Sequence, residues 1–420
     1  MRIGDRVHLP FMLAGLGAAL LVGFVLGPAI PLMEHGVVRV SGAGVEGVIQ
    51  AHGAAQLSGF AGLLVVGMGL RLLPRFAGRP PLMPVVAAVL WLLLVSGLVF
   101  RLAAQLGGPS VLLPLGLTLQ ALGRIGFVAA VAVIITTATA PRRSWMVAVV
   151  AGMVGWLGWA AMDLVAATTA RHALIPERID SASTYLALFA GIGPFIWAVQ
   201  SRAVPTFFGR GDPTIRRLAA PSAGLVAAAG LLLWVGSLPS APAAAFWWAA
   251  LIAGLCTASI TPLAGDLGGD PSRLREASRP LAAYVIAANR WAIAAGGLLL
   301  TAGVAGLAGR SALAVPLADA ARHAFGIGTV SLMIVGMAEL LAPEFAMARI
   351  GDARRPIRLA PWWLLNAAAV LRVTADFPTL ATSEPIAGAI VGVAGVLAWA
   401  GLATFALLLV SSARGMSSTT

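Results

Sequence analysis

The stretch QAHGAAQLSGFAGLLVVGMGLRLLPRFAGRP, Gln50 to Pro80, is small or apolar at nearly every position, yet it begins with His52 and ends among Arg71, Arg75 and Arg79. About 20 apolar residues in a helix cross roughly 30 Å of hydrocarbon. The run therefore reads as a spanning helix, stopped by Pro74 and Gly78 and held at its exit by arginine.

Working outward, the same reading applies along the whole chain. Apolar cores fall at about 9–33, 48–73, 81–104, 111–138, 145–168, 183–204, 218–237, 243–265, 281–307, 318–342, 359–378 and 386–411. These predict an all-α polytopic membrane protein of about twelve transmembrane helices. No long polar segment divides them, so residues 1–420 form a single domain. Composition agrees: 59% of residues are hydrophobic and 10% charged, where soluble domains carry about 25% charged residues. Outer-membrane barrels alternate polar and apolar positions and lack such runs. Two arginines precede the first run without a small-residue cleavage site, so it reads as a retained helix and not a signal peptide.

The net charge is +12, and all 28 basic residues are arginine. They gather in short loops between apolar runs, which points to topology and anionic headgroups and not to nucleic acid. Loops after even-numbered helices hold Arg71, Arg75 and Arg79, Arg142 and Arg143, Arg202 to Arg217, Arg273 to Arg279, and Arg349 to Arg358. The other face holds Arg39, Arg101, Arg171, Arg178 and Arg310, with Arg322 and Arg372 at helix ends. This imbalance predicts a multi-pass protein of the cell inner membrane with both termini cytoplasmic. Cys256 is the single cysteine, so no intrachain disulfide forms.

An echo links three helix exits. RLLPRFAGR (71–79) and RAVPTFFGR (202–210) share R-x-x-P-x-F-x-G-R, and VGMAELLAPEFA (335–346) repeats part of VGMGLRLLPRFA (66–77). A recurrent helix exit and an old duplication both account for it.

The second and tenth helices run in the same direction, and each carries a histidine near its start, His52 and His323. Topology alone puts them at similar depth. A buried imidazole needs a partner, and haem iron is one. Gly53, Ala55, Gln56 and Gly59 follow His52, and Ala324, Gly326 and Gly328 follow His323. Small residues admit a flat macrocycle, and equally admit a neighbouring helix. Arg372, in LRVTADF, lies at about the same depth and suits a haem propionate, with Arg322 second. Snorkelling to headgroups is the other role for such arginines. Arg124, Asp163 and Arg290 lie inside helices and suit a proton or substrate route, a structural pair or a cofactor carboxylate. His8, His35 and His172 fall at helix ends or loops and read as solvated. The run 266–279 reads as a loop with a short surface helix.

Residues 52–80, RAVPTFFGR, HAFGIGTVSLMIVGMAE (323–339) and LRVTADF resemble elements of NnrS-type membrane proteins, in order over about residues 50 to 378. The resemblance implies a link to nitric oxide and nitrosative stress, and binding of haem and copper. Those proteins resemble in turn the catalytic subunit of haem–copper oxidases, which implies an oxidase subunit I-like bundle. It also implies one low-spin b-type haem held by His52 and His323, with Arg372, Arg322 and Gln56 as further cofactor contacts. Departures stand beside it. Ala54 and Ala321 occupy positions where relatives keep further histidines, and the sixth and seventh helices lack the copper histidines. These departures argue against an oxygen- or nitric-oxide-reducing centre, leaving copper without evident ligands. The implied role is electron transfer or nitric oxide sensing, with cytochrome c or other respiratory subunits as partners besides the lipid bilayer. A secondary transporter and a structural subunit of a respiratory complex are the alternatives.

Overall fold

Each apolar run becomes a helix because a backbone in hydrocarbon must satisfy its hydrogen bonds within its own segment. The computed structural model describes residues 7–34, 37, 44–141, 143–208, 212–265, 279–341, 355–377 and 384–417. Twelve helices result: α1 (Leu9–Glu34), α2 (Gly44–Phe76), α3 (Pro84–Gln105), α4 (Leu112–Thr136), α5 (Ser144–Thr169), α6 (177–208), α7 (Ile215–Ser237), α8 (Ala243–Gly265), α9 (Arg279–Leu307), α10 (311–341), α11 (Arg355–Ala375) and α12 (Glu384–Ser417). Among the described residues there is no strand, only an isolated bridge between Arg171 and Leu174. Among the described residues, eleven helices are long and apolar enough to cross a membrane. The twelfth, α11, carries Arg355, Arg358, Asn366 and Arg372 within 21 residues. The chain is an all-α, multi-pass membrane bundle.

Two helices begin earlier than hydropathy suggests. α6 starts at Glu177, not near 183, because Glu177 and Asp180 in its first turn suit the positive end of a helix. α10 starts at Ser311, not near 318, and runs through Pro316. His323 is consequently its thirteenth residue, about 20 Å along the axis. Arg322 is well inside the helix and not at its end.

Burial sorts the helices into layers. The apolar windows of α2, α6 and α10 are 78%, 78% and 72% buried, against 33% for α3 and α12. The three central helices each widen midway into a π-helical stretch, at Ala55–Gly62, Leu186–Ile192 and Ala324–Ser331. A fourth stretch, Ala19–Gly23, lies in α1. Such wide turns are rare and favour functional sites. In α2, α6 and α10 the stretch begins sixteen residues before the corresponding position of the sequence echo: 55 to 71, 186 to 202 and 324 to 340. A helix exit alone does not demand a wide turn at a fixed distance behind it. The spacing therefore supports an internal threefold repeat of four-helix units. Residues 209–210 and 342–346 of the echoes, the run 266–278 and His35 lie outside the described residues.

Glycines set the closest approaches, as in other membrane bundles. A Cβ on Gly97 of α3 would stand 2.7 Å from the Gly116 carbonyl oxygen of α4, and one on Gly116 would stand 2.6 Å from that of Gly97. Aromatic rings fill the centre: Phe127 packs against Trp156 and Phe195 with centroids 4.9 and 5.3 Å away. At the exit of α2, Gly78 adopts φ +69°. Arg75 and Arg79 are exposed there, but Arg71 is only 4% exposed and stays inside the bundle, away from the headgroups.

Candidate functional site

The end of the bundle opposite Arg71 holds a cavity of about 730 Å³ between α1, α2, α6, α10, α11 and α12. Ligand pockets span roughly 300–1,000 Å³. His52, Gln56, Asp180, Arg322, His323 and Arg372 all line it. Five of these six were picked out from sequence, and they come from three helices far apart in the chain.

The two imidazoles are anchored alike. His52 Nδ1 lies 2.7 Å from the Gly23 carbonyl oxygen, at the last residue of the π stretch of α1. His323 Nδ1 lies 3.0 Å from the Asp319 carbonyl oxygen one turn earlier in α10. A carbonyl only accepts, so each Nδ1 carries the proton and donates. In the tautomer with the proton on Nδ1 the lone pair lies on Nε2, which makes no hydrogen bond among the described residues. That is the arrangement in which a second contact fixes the tautomer of a metal-binding histidine. Gly27 is required beside His52, since a Cβ there would stand 3.2 Å from His52 Cε1.

Asp319 ties the rest together. Its carboxylate pairs with Arg322, accepts from Arg372 Nη2 at 2.7 Å and lies 3.3 Å from His323 Nδ1. Arg372 Nη1 also donates to Asp376 at 2.5 Å. Asp319, His323 and Asp376 come close enough together to resemble a cation site. The arginines already engage both carboxylates, so the group is an ion-pair network. Two arginines and two aspartates leave it formally neutral, and both Arg322 and Arg372 line the cavity. Gln56 lines the cavity with its Nε2 unpaired among the described residues. Behind the wall, Asp180 pairs with Arg101 at 3.5 Å, and Gln50 clamps Ile175 through Nε2 to its carbonyl oxygen (2.7 Å) and Oε1 from its N–H (3.0 Å).

The other intramembrane charges lie elsewhere. Arg124 of α4 pairs with Asp163 of α5, at 1% and 2% side-chain exposure. Arg124 also donates to Ser58 Oγ (2.8 Å) and Gln120 Oε1 (3.2 Å) and lies 3.7 Å above the Trp159 ring. This is a buried structural pair that does not line the cavity holding the two histidines. Arg290 is exposed on the outside of α9. His172 is exposed, as expected, but His8 is not solvated: it is 1% exposed beneath the start of α1. Burial, with Arg71 and Arg75 nearby, lowers its pKa to about 4.

No family model and no curated protein matches this chain. The site therefore stands on its own geometry. Ala54 and Ala321 are buried and do not line the cavity, so the positions of the additional histidines in NnrS-type proteins are packed core here. In the register of the threefold repeat, His52 corresponds to Ser183 and Ala321, while His323 corresponds to Ala54 and Tyr185. Sequence reading missed Asp180, Asp319, Asp376 and Gly23. Asp319 was visible in principle, because a carboxylate four residues before a histidine shares its helix face. Nothing local in the sequence announces Gly23 as an acceptor for a ring 29 residues away.

Proposed function

We propose that this chain is a haem-binding inner-membrane protein of NnrS type, with both termini cytoplasmic, in which His52 and His323 hold one b-type haem in an oxidase-like bundle. One observation carries the reading: two imidazoles from different central helices, each with Nδ1 committed to a backbone carbonyl, face one cavity with Nε2 unengaged. The residues present fit a porphyrin. The cavity volume is ample, and a Cβ on Gly53 or Gly326 would meet nothing within 4 Å. Arg322 and Arg372 line the cavity, and their positive charge suits carboxylate groups at its edge. A haem bound there supplies one-electron chemistry at iron. The chain's own part is to fix both imidazole tautomers, hold the arginines and exclude lipid. Two histidine ligands would leave no open position and favour electron transfer, with a respiratory cytochrome as partner; nitric oxide would bind only where one histidine is displaced. The transporter reading loses support, because Arg124 and Asp163 neutralise each other in the core and Arg290 faces outward.

The test is haem stoichiometry after expression with ample haem. The expected result is about one b-type haem per wild-type chain and little in the His52→Ala/His323→Ala double variant. Equal loading of the two proteins would overturn the assignment. A folded wild type that binds anions but no haem would return the cavity to the transporter reading.

A further inference from the structure

The two histidines that line the cavity are held by unequal means. His323 takes its acceptor from its own helix, the Asp319 carbonyl oxygen one turn earlier. The Asp319 carboxylate stands 3.3 Å from the same ring nitrogen, and it is fixed in turn by Arg322 and by Arg372 of α11. A carboxylate behind a ligating imidazole orients the ring and raises its basicity. His52 has a neutral acceptor instead, the Gly23 carbonyl oxygen, and that oxygen belongs to a different helix, α1.

The support under His52 is also the looser one. The apolar window of α1 is 39% buried, against 72% for α10. Pro28 and Pro31 follow Gly23 within the helix, and each removes a backbone N–H from the helical ladder. Along this stretch the cavity continues past the His52 ring, lined by Ile30, Pro31 and Glu34 of α1 and by Ile49 one turn before His52 on α2. A His52 ring that turns away from the centre of the cavity has space there.

We infer that His52 is the exchangeable member of the pair: a neutral diatomic ligand of ferrous haem takes the place of His52, while His323 stays bound on the opposite side. The inference rests on the haem reading above and adds the direction of the exchange. One bond breaks, from His52 Nε2 to iron, and one forms, from the diatomic to iron. The lone pair leaves with the His52 ring, Nδ1 keeps its proton and the iron stays ferrous.

The test uses full-length, haem-loaded protein in detergent, reduced with dithionite, with carbon monoxide as the probe. Flash photolysis expels the carbon monoxide, and time-resolved resonance Raman reads the iron–histidine stretch of the ligand that remains. The wild-type band should match that of His52→Gly and differ from that of His323→Gly. Asp319→Asn should move the wild-type band to lower frequency, because Asp319 contacts the His323 ring. Carbon monoxide binding to wild type should be at least about tenfold slower than to His52→Gly, where no bond has to break first. Gly27→Ala crowds the His52 ring, with its Cβ 3.2 Å from Cε1, and should speed binding over wild type. Asp319→Asn and Gly27→Ala keep both histidines, so they are readable where a glycine variant fails to fold. A wild-type band that matches His323→Gly, or that Asp319→Asn leaves in place, overturns the inference, as does wild-type binding as fast as in His52→Gly. A low-spin, haem-loaded wild type with the wrong band overturns this inference alone; a wild type without haem overturns the reading beneath it as well.

Discussion

Replacing Asp163 by asparagine leaves the Arg124 guanidinium charged at 1% side-chain exposure with its only described carboxylate gone. Removing one partner of a buried pair typically costs about 3–5 kcal/mol. Arg124 keeps its bonds to Ser58 and Gln120 and its place over Trp159, so the lower end applies, about 3 kcal/mol. At roughly 1.4 kcal/mol per decade, the folded-to-unfolded ratio falls by about two orders of magnitude. Replacing both residues, as in Arg124→Leu/Asp163→Leu, removes the buried charge altogether. Apolar replacements of buried pairs are often neutral or stabilising by about 1–4 kcal/mol. The double variant should therefore recover most of the loss. The assay is reversible denaturant titration in mixed micelles, followed by tryptophan fluorescence. An Asp163→Asn variant within about 1 kcal/mol of wild type would refute the reasoning, as would a double variant no more stable than the single one.

Three further outcomes follow from particular contacts. Gly27→Val should push the His52 ring off its Gly23 acceptor, because even a single Cβ would stand 3.2 Å from the ring; the absorption spectrum of haem-reconstituted protein should then match His52→Ala, and a wild-type spectrum would count against the site geometry. Gly116→Val places a branched side chain where a Cβ already stands 2.6 Å from a backbone oxygen of α3; overpacking of this kind costs about 1–3 kcal/mol, readable as a lowered unfolding midpoint. His8 titrates at about 4 in the fold, against 6.5 when exposed. Below 6.5 the unfolded chain binds more protons, so its contribution to stability is complete above that pH. It is lost at roughly 1.4 kcal/mol per pH unit as pH falls toward 4. His8→Gln should flatten the stability profile over that window, and an unchanged slope would assign the dependence to other groups.

How much of this was legible in the sequence varies by level. Helix number and order were readable because hydrocarbon imposes one requirement on every crossing, and runs such as residues 52–73 meet it visibly. Helix starts were less so: α10 runs through Pro316, and α6 begins on charges that its own dipole accommodates. The histidine pair was readable from topology, since His52 and His323 enter from one side on helices two and ten. Their anchoring was not, because the acceptor of His52 is a backbone oxygen of α1, and backbone atoms leave no mark in sequence. The roles of Arg124 and Asp163 stayed open for a related reason. A charge inside a helix looks the same whether it meets a partner, as here, or a cavity. His8 reads as solvated and Arg71 as reaching the headgroups because position at a helix end suggests exposure, yet both are buried.

The ligation claim is tested most directly by near-infrared magnetic circular dichroism with electron paramagnetic resonance on the oxidised, haem-loaded protein. The account predicts a low-spin ferric centre with two histidine ligands in wild type, and loss of that signature to a high-spin form in His52→Ala and in His323→Ala separately. A low-spin bis-histidine signal that survives either substitution would contradict it.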